Sequence, residues 1–256
     1  MGVLRDLYRN WLVAHHSPPH WRLRPRTIDR RIFRHVVIDN EYALPDRFLP
    51  EDTILDIGGH VGSFSLAALR RGAGMVHTCE PDADNFALLS HNLAPFRDRV
   101  RLRRQAVWHE PSTTLGLHNP IDPRNTGAGQ VCLESPAQAV EAVAFDALVR
   151  EVAGEGRIRL VKLDCEGAEW PILLTSQCLP LIDELCGEYH LTPLPEAFAV
   201  PGYETFSPED LRECLERAGF AVRLVPLAEE PFPTGLFFAR RRISTTDDTD
   251  DTDKSI

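Results

Sequence analysis

From about residue 53 onward, short apolar runs alternate with longer stretches whose apolar positions recur at helical spacing. The runs predict strands near 53–57, 74–79, 99–107, 140–144, 158–163 and 183–189. The periodic stretches predict helices near 63–71, 82–93, 145–153 and 166–175. Strand and helix taking turns in this way argue for an α/β fold with a mostly parallel sheet. The last unit breaks the pattern. Ser207-Pro208-Glu209-Asp210 reads as a helix start, with Ser207 as N-cap and Pro208 in the first turn, and Gly219 closes that helix. Strands near 220–226 and 235–240 then follow one another across a Pro/Gly-rich turn, which predicts a terminal antiparallel hairpin at the sheet edge.

The pattern also divides the chain. Residues 1–50 form a partly helical lead-in, 51–242 the α/β domain, and 243–256 a Thr/Asp-rich tail whose composition predicts disorder. Residues 109–135, rich in Pro, Asn, Gly and Thr, are too long for a simple connector, and 191–205 share that character. Loops of that length in compact domains usually serve a function, so both are candidate covers for a substrate.

Charge is uneven. The net of −10 hides a lead-in whose first 34 residues hold eight arginines against Asp6 and Asp29, a net of +6. An acidic body argues against a nucleic-acid footprint, which needs clustered basic charge on the domain. Lysine occurs only at Lys162 and Lys254. The six cysteines form no C-x-x-C pair and sit mostly in apolar runs, as reduced core thiols of a cytoplasmic protein do. Trp11-Leu12-Val13-Ala14 is too short for a membrane span or a signal core.

Candidate chemistry begins at Leu55-Asp56-Ile57-Gly58-Gly59-His60-Val61-Gly62, where a predicted strand runs through a glycine turn into a helix. The next predicted strand ends on Glu80. An acid at each strand tip suits a ligand with an adenosine ribose, since Glu80 can accept both ribose hydroxyls. The spacing is D-x-G-x-x-x-G. A pyrophosphate at that helix start would meet the Asp56 carboxylate at short range, whereas the ammonium and sulfonium of S-adenosylmethionine would welcome it. Gly58 and Gly62 would let the backbone approach such a ligand.

A second constellation lies downstream. Val161-Lys162-Leu163-Asp164-Cys165-Glu166-Gly167-Ala168-Glu169 reads as a buried strand opening into a helix, and the following strand ends Glu188-Tyr189-His190. Ligands bind outside the carboxyl ends of strands in open α/β sheets. Asp164, Glu166, Glu188 and His190 should therefore share one rim with the glycine turn.

These motifs resemble those of the FkbM-type S-adenosylmethionine-dependent methyltransferases. The likeness covers roughly residues 35–190 and is carried by Asp56 through Ser65, Cys79-Glu80-Pro81-Asp82-Ala83-Asp84-Asn85, Asn92-Leu93, Gln105-Ala106-Val107, Phe145-Asp146-Ala147-Leu148 and the Val161 to Glu169 segment. That family usually has Ala-Asn where this chain has Gly59-His60. The resemblance implies the seven-stranded class I (Rossmann-like) sheet with its C-terminal hairpin. It also implies O-methylation of a hydroxyl on a sugar or secondary metabolite. It places the methyl donor against Asp56, Gly58, Gly59, Gly62, Phe64, Glu80, Pro81, Asn85, Gln105, Ala106 and Asp164. His190 is the expected base, with a pKa near working pH, and Glu166 or Glu188 is expected to orient it. A divalent metal on the same rim is the less favoured route, so no metal ligand is assigned. The expected acceptor is a small molecule or glycan, with no nucleic-acid partner and no membrane span.

Two other classes compete. A nicotinamide-dependent oxidoreductase would share the sheet and Glu80, but Asp56, the glycine spacing and the terminal hairpin disfavour it. A non-catalytic methyltransferase-like domain would have no reason to keep acids at all three rim positions.

Overall fold

The computed structural model describes residues 2–111, 114–118, 122–132, 139–191, 200–227 and 234–242. The predicted tail and most of the predicted 191–205 cover lie outside the described residues.

Helices α1 (Gly2–His16) and α2 (Asp29–Phe33) and a π-helical turn (Arg34–Ile38) precede β1 (Thr53–Ile57), α3 (Ser63–Arg70), β2 (Met75–Cys79), α4 (Ala83–Leu93) and β3 (Val100–Arg103). Three short strands follow: β4 (Ala106–Trp108), β5 (Thr114–His118) and β6 (Gln130–Cys132). The chain continues through β7 (Ala139–Ala144), α5 (Phe145–Ala153), β8 (Ile158–Leu163), α6 (Glu169–Thr175) and β9 (Ile182–His190). It closes with α7 (Pro208–Arg217), β10 (Phe220–Leu227) and β11 (Thr234–Arg241).

The main sheet runs β10-β11-β9-β8-β1-β2-β3. From β9 to β3 its pairs are parallel, while β11 runs antiparallel to both β9 and β10. The terminal hairpin thus stands where the sequence placed it. So does the start of α7: Ser207 and Asp210 form a reciprocal capping box, with Pro208 in the first turn. Asp82 caps α4 by accepting from the backbone N–H groups of Asp84 and Asn85; such a cap contributes about 1 kcal/mol.

Each β-strand residue faces opposite to its neighbours, so β1 feeds two cores. Leu55 and Ile57 join Val161, Leu163, Trp170 and Phe237 on one face, and Ile54 joins Val76, Leu160 and Phe64 on the other. The lead-in contributes Val13, Trp21, Phe33, Val36, Tyr42, Leu44 and Phe48 to that second core. It forms a layer over the sheet.

Four sequence expectations change. The single strand expected at 99–107 is two: β3 stays in the main sheet, and β4 leaves it to pair in parallel with β7. The strand expected at 140–144 is β7, which sits in a separate four-stranded sheet ordered β4-β7-β5-β6. Residues 109–135 are therefore partly sheet, and their apolar side chains, Leu115, Leu117 and Val131, are buried in the first core. Finally, α6 starts at Glu169 because Glu166 (φ 55) and Gly167 (φ 104) are left-handed and no helix can run through them.

Candidate active site

A cavity of about 960 Å³ opens at the carboxyl ends of β1, β2, β8 and β9. Its floor includes Gly58, Gly59, Glu80, Asp164, Glu166, Glu188 and His190, with Gln105 and Ala106 at one end. Phe64, Pro81 and Asn85 also line it. The roof comes from the lead-in, through Ile28, Arg31, His35 and Tyr42, and from residues 125–131 beside β6.

Two of the expected donor contacts point elsewhere. Asp56 is fully buried beneath the turn, accepting a 2.7 Å hydrogen bond from Ser65 Oγ and lying 3.5 Å from Lys162 Nζ. Burial raises its pKa, with Lys162 and Ser65 pulling the other way. Its negative charge shapes the turn from below and does not reach the cavity wall. Gly62 is also absent from that wall. Its φ of 95 is left-handed, and a Cβ there would crowd Leu93 and Trp21, so it is glycine for the turn's geometry. Gly58 has a similar reason, since at φ +80 an added Cβ would stand 1.9 Å from the Asp164 carbonyl oxygen. The glycine turn thus docks directly against the end of β8.

Lys162 holds that junction, and sequence reasoning gave it no role. Its ammonium donates to the carbonyls of Gly58 (2.6 Å) and Ile57 (3.2 Å) and lies 3.6 Å from Asp164 Oδ2. Burial opposes its charge, but Asp164 and Asp56 keep the amine above its ordinary range. Tyr42, also unforeseen, donates from its hydroxyl to Asp164 Oδ2 at 2.9 Å. Burial favours the protonated Asp164, but Lys162, His190 and Tyr42 outweigh it and keep the carboxylate ionised.

Glu80 accepts from the backbone N–H of His60 (2.7 Å) and of Asp82 (2.9 Å). Burial nonetheless lifts its pKa to about 7. His60 is held left-handed (φ 49), and its ring reaches outward to the roof. Thr126 Oγ1 donates to Asp29 at 2.7 Å and lies 3.0 Å from His60 Nε2, which also stands 3.3 Å from Arg24 Nη2. Arg24 joins the set by pairing with Asp29 and donating to Asn85 Oδ1 at 2.7 Å. Burial drops His60 to a pKa of about 4, so the ring is neutral. His60 is therefore a bridge between the glycine turn and the roof.

The expected base is altered most. His190 Nδ1 lies 2.8 Å from Glu169 Oε1, which also accepts the His190 backbone N–H at 2.9 Å. Glu169, buried in the first turn of α6, is what orients the ring; Glu166 and Glu188 lie on the other side, 3.5 and 3.9 Å from Nε2. Burial works against a charged ring, but Glu169, Glu166 and Asp164 together keep His190 protonated well above the ordinary histidine range. An imidazolium cannot accept a proton. The groups that titrate near neutrality are the carboxyls facing it. Burial raises Glu166 to about 8 and Glu188 to about 7.

Asp164, Glu166 and His190 present ligand atoms within 4.8 Å of one another. Ser63 Oγ, buried at the cavity wall, has no hydrogen-bond partner among the described residues. With the N-terminus of α3 it offers an anchor for a ligand carboxylate.

A family model described as the methyltransferase FkbM domain matches residues 56–222. Among solved structures, the N-terminal domain of EvdMO1 with bound SAH is 14% identical (TM-score 0.46; 93% of this chain and 97% of that one). Magnesium protoporphyrin IX methyltransferase from Synechocystis is 12% identical (TM-score 0.46; 93% and 94%). Precorrin-6y C5,15-methyltransferase from Geobacter metallireducens is 13% identical (TM-score 0.44; 89% and 100%). Comparison with curated proteins gives no significant match.

Proposed function

The chain belongs to the FkbM methyltransferase family, and from that premise we propose that it methylates a hydroxyl oxygen on a sugar or secondary metabolite. The fold is the class I methyltransferase sheet with its terminal hairpin, and the enzyme is an S-adenosylmethionine-dependent methyltransferase. The observation that carries the finer reading is one cavity. It brings the glycine turn, Glu80 and the Asp164–Glu166–His190 rim together in a volume of about 960 Å³.

S-adenosylmethionine supplies an electrophilic methyl group whose former bonding pair stays on sulfur. In this reading Gly58, Gly59, Phe64 and Ser63 hold its methionine end, Glu80 and Asn85 its ribose, and Pro81, Gln105 and Ala106 border its adenine. Asp56 supports the turn from beneath. Asp164, held by Tyr42 and Lys162, stands between donor and acceptor sides. The acceptor hydroxyl must lose its proton as its oxygen bonds to carbon. We assign that proton to Glu166, whose pKa of about 8 is close to working pH. His190, locked by Glu169, stays charged beside it and steadies the carboxylate that must form. Much of the rate comes from holding the two reactants at near-attack distance.

The test is a screen of labelled methyl donor against sugars and small metabolites. Glu166→Gln should lower kcat at least tenfold, towards the ~10²-fold range of general-base losses, with donor affinity unchanged. The wild-type rate should climb as pH rises through about 8, because ionised Glu166 is the acceptor of the proton, and that climb should vanish in the variant. Normal turnover by both Glu166→Gln and Asp164→Asn would remove the assignment. A second reading rests on the close approach of Asp164, Glu166 and His190, which together suit a hard divalent cation. Full activity after EDTA treatment excludes it.

A further inference from the structure

Helix α1 presents an apolar face that nothing among the described residues covers. Leu7, Tyr8 and Trp11 are 57–60% exposed and make up three of the four exposed large hydrophobic residues among the described residues. They lie on one side of the helix with His15, and the rings of Tyr8, Trp11 and His15 stack in a ladder with centroids 6.0 and 5.1 Å apart. The opposite side is anchored by Val13, buried in the second core. Arg5 is exposed on the same helix.

Beside α1 runs a groove of about 500 Å³, separate in character from the acidic floor of the active site. Arg22, Arg24 and Arg30 line it, no Asp or Glu does, and Arg22 and Arg30 are exposed. Trp21 lines it too, at 9% exposure, and its indole Nε1 has no hydrogen-bond partner among the described residues. Its charged side chains are all arginines, of which Arg24 is held by Asp29 and Asn85, leaving Arg22 and Arg30 to meet a ligand. The first 34 residues carry +6, in a protein whose net charge is −10.

We propose that α1 and this groove dock the protein on an anionic phospholipid surface. An amphipathic helix with Trp and Tyr on its apolar side and arginines beside it lies in the membrane interface, with the rings at headgroup depth. Arg22 and Arg30 at the groove would take a lipid phosphate, and the basic lead-in would be drawn to the negative leaflet. A second copy of the chain fits less well. Aromatic side chains carry roughly 150–250 Å² each and leucine less, so Tyr8, Trp11 and Leu7 at 57–60% exposure leave a patch of about 300 Å², less than half of the ~800 Å² per partner in a standard interface. No described helix is long and apolar enough to cross a membrane, so the contact is a docking on the surface.

The experiment is flotation of the full chain with vesicles of phosphatidylcholine alone and of equal parts phosphatidylcholine and phosphatidylglycerol. We expect binding to the mixed vesicles only, fading as salt screens the charge. The double variant Leu7→Ser, Trp11→Ser should bind at least tenfold less while keeping its melting temperature and donor affinity. Arg22→Gln and Arg30→Gln should each weaken binding about fivefold. No vesicle binding, equal binding to neutral vesicles, or unchanged binding by the double variant would overturn the proposal. So would a concentration-dependent dimer, in sedimentation, that the double variant abolishes.

Discussion

Lys162→Met is expected to destabilise the protein by about 3–5 kcal/mol, the range for breaking a buried ion pair by removing one partner. Lys162 is 3% exposed, and its ammonium serves four oxygens at once: the carbonyls of Ile57 and Gly58, and the carboxylates of Asp56 and Asp164. Without it, Asp56 keeps only the Ser65 hydroxyl and Asp164 only Tyr42 among these close partners. Asp56 cannot turn to water for help, because it sits under the glycine turn, whereas Asp164 faces the cavity. The sign of the pH dependence follows. In the variant Asp56, whose carboxyl burial already raises, gains its proton still more readily in the folded state than in the unfolded chain, so folding is favoured at low pH and loses ground as pH rises. The deficit relative to wild type should be largest near neutrality and shrink towards acid. Denaturant unfolding across that range reads it directly. Adding Asp56→Asn to Lys162→Met should recover part of the loss, since it removes the buried charge that was orphaned. A loss below about 1 kcal/mol, or one independent of pH, would show that the ammonium is dispensable.

Lys162 also marks where sequence reading stops. The motifs that were legible are local: an apolar strand, a glycine turn and an acid at the tip lie within a few residues of one another. Their spacing survives without knowledge of the rest of the fold. The rim of Asp164, Glu166, Glu188 and His190 was legible for a related reason, because β8 and β9 are parallel neighbours whose ends must meet. What escaped were contacts across long stretches of chain. Tyr42 to Asp164 and Asp29 to Thr126 join residues about a hundred positions apart, and neither end advertises the other. Lys162 did leave one trace, as the only lysine before position 254 in an arginine-rich chain. An ammonium is a compact point donor with three protons, and a flat guanidinium cannot serve four oxygens crowded under a turn. The split of β3 from β4 left no trace, since Arg104-Gln105 contains neither glycine nor proline. His190 was found but its charge state was not, because that depends on Glu169, whose place at the start of α6 gave it another reason to be there.

Glu80→Gln is expected to weaken donor binding by at least about 100-fold. Two ribose hydroxyls donating to one carboxylate are worth roughly 1.5–3 kcal/mol each, and the amide can replace only one acceptor. The substitution also sets an NH₂ group against one of the backbone N–H groups of His60 and Asp82, both of which now donate to Glu80. Wild-type affinity should itself depend on pH. Burial raises the Glu80 carboxyl to a pKa of about 7, while pairing with two ribose hydroxyls would require the ionised group. Below that value each binding event must expel a proton, so affinity should fall by up to tenfold per pH unit; above it affinity should level off. Calorimetry in buffers of different ionisation enthalpy measures the released proton separately from the affinity. A flat profile between about pH 6 and pH 8, with Gln tolerated, would move the ribose away from Glu80. The raised pKa then has a plain physical meaning. Buried Glu80 is poorly solvated, and its two backbone donors only partly make up for water. Under the proposed assignment the two ribose hydroxyls would complete that solvation, so the strongest single contact expected in the site is also one whose charge is unsettled near neutrality.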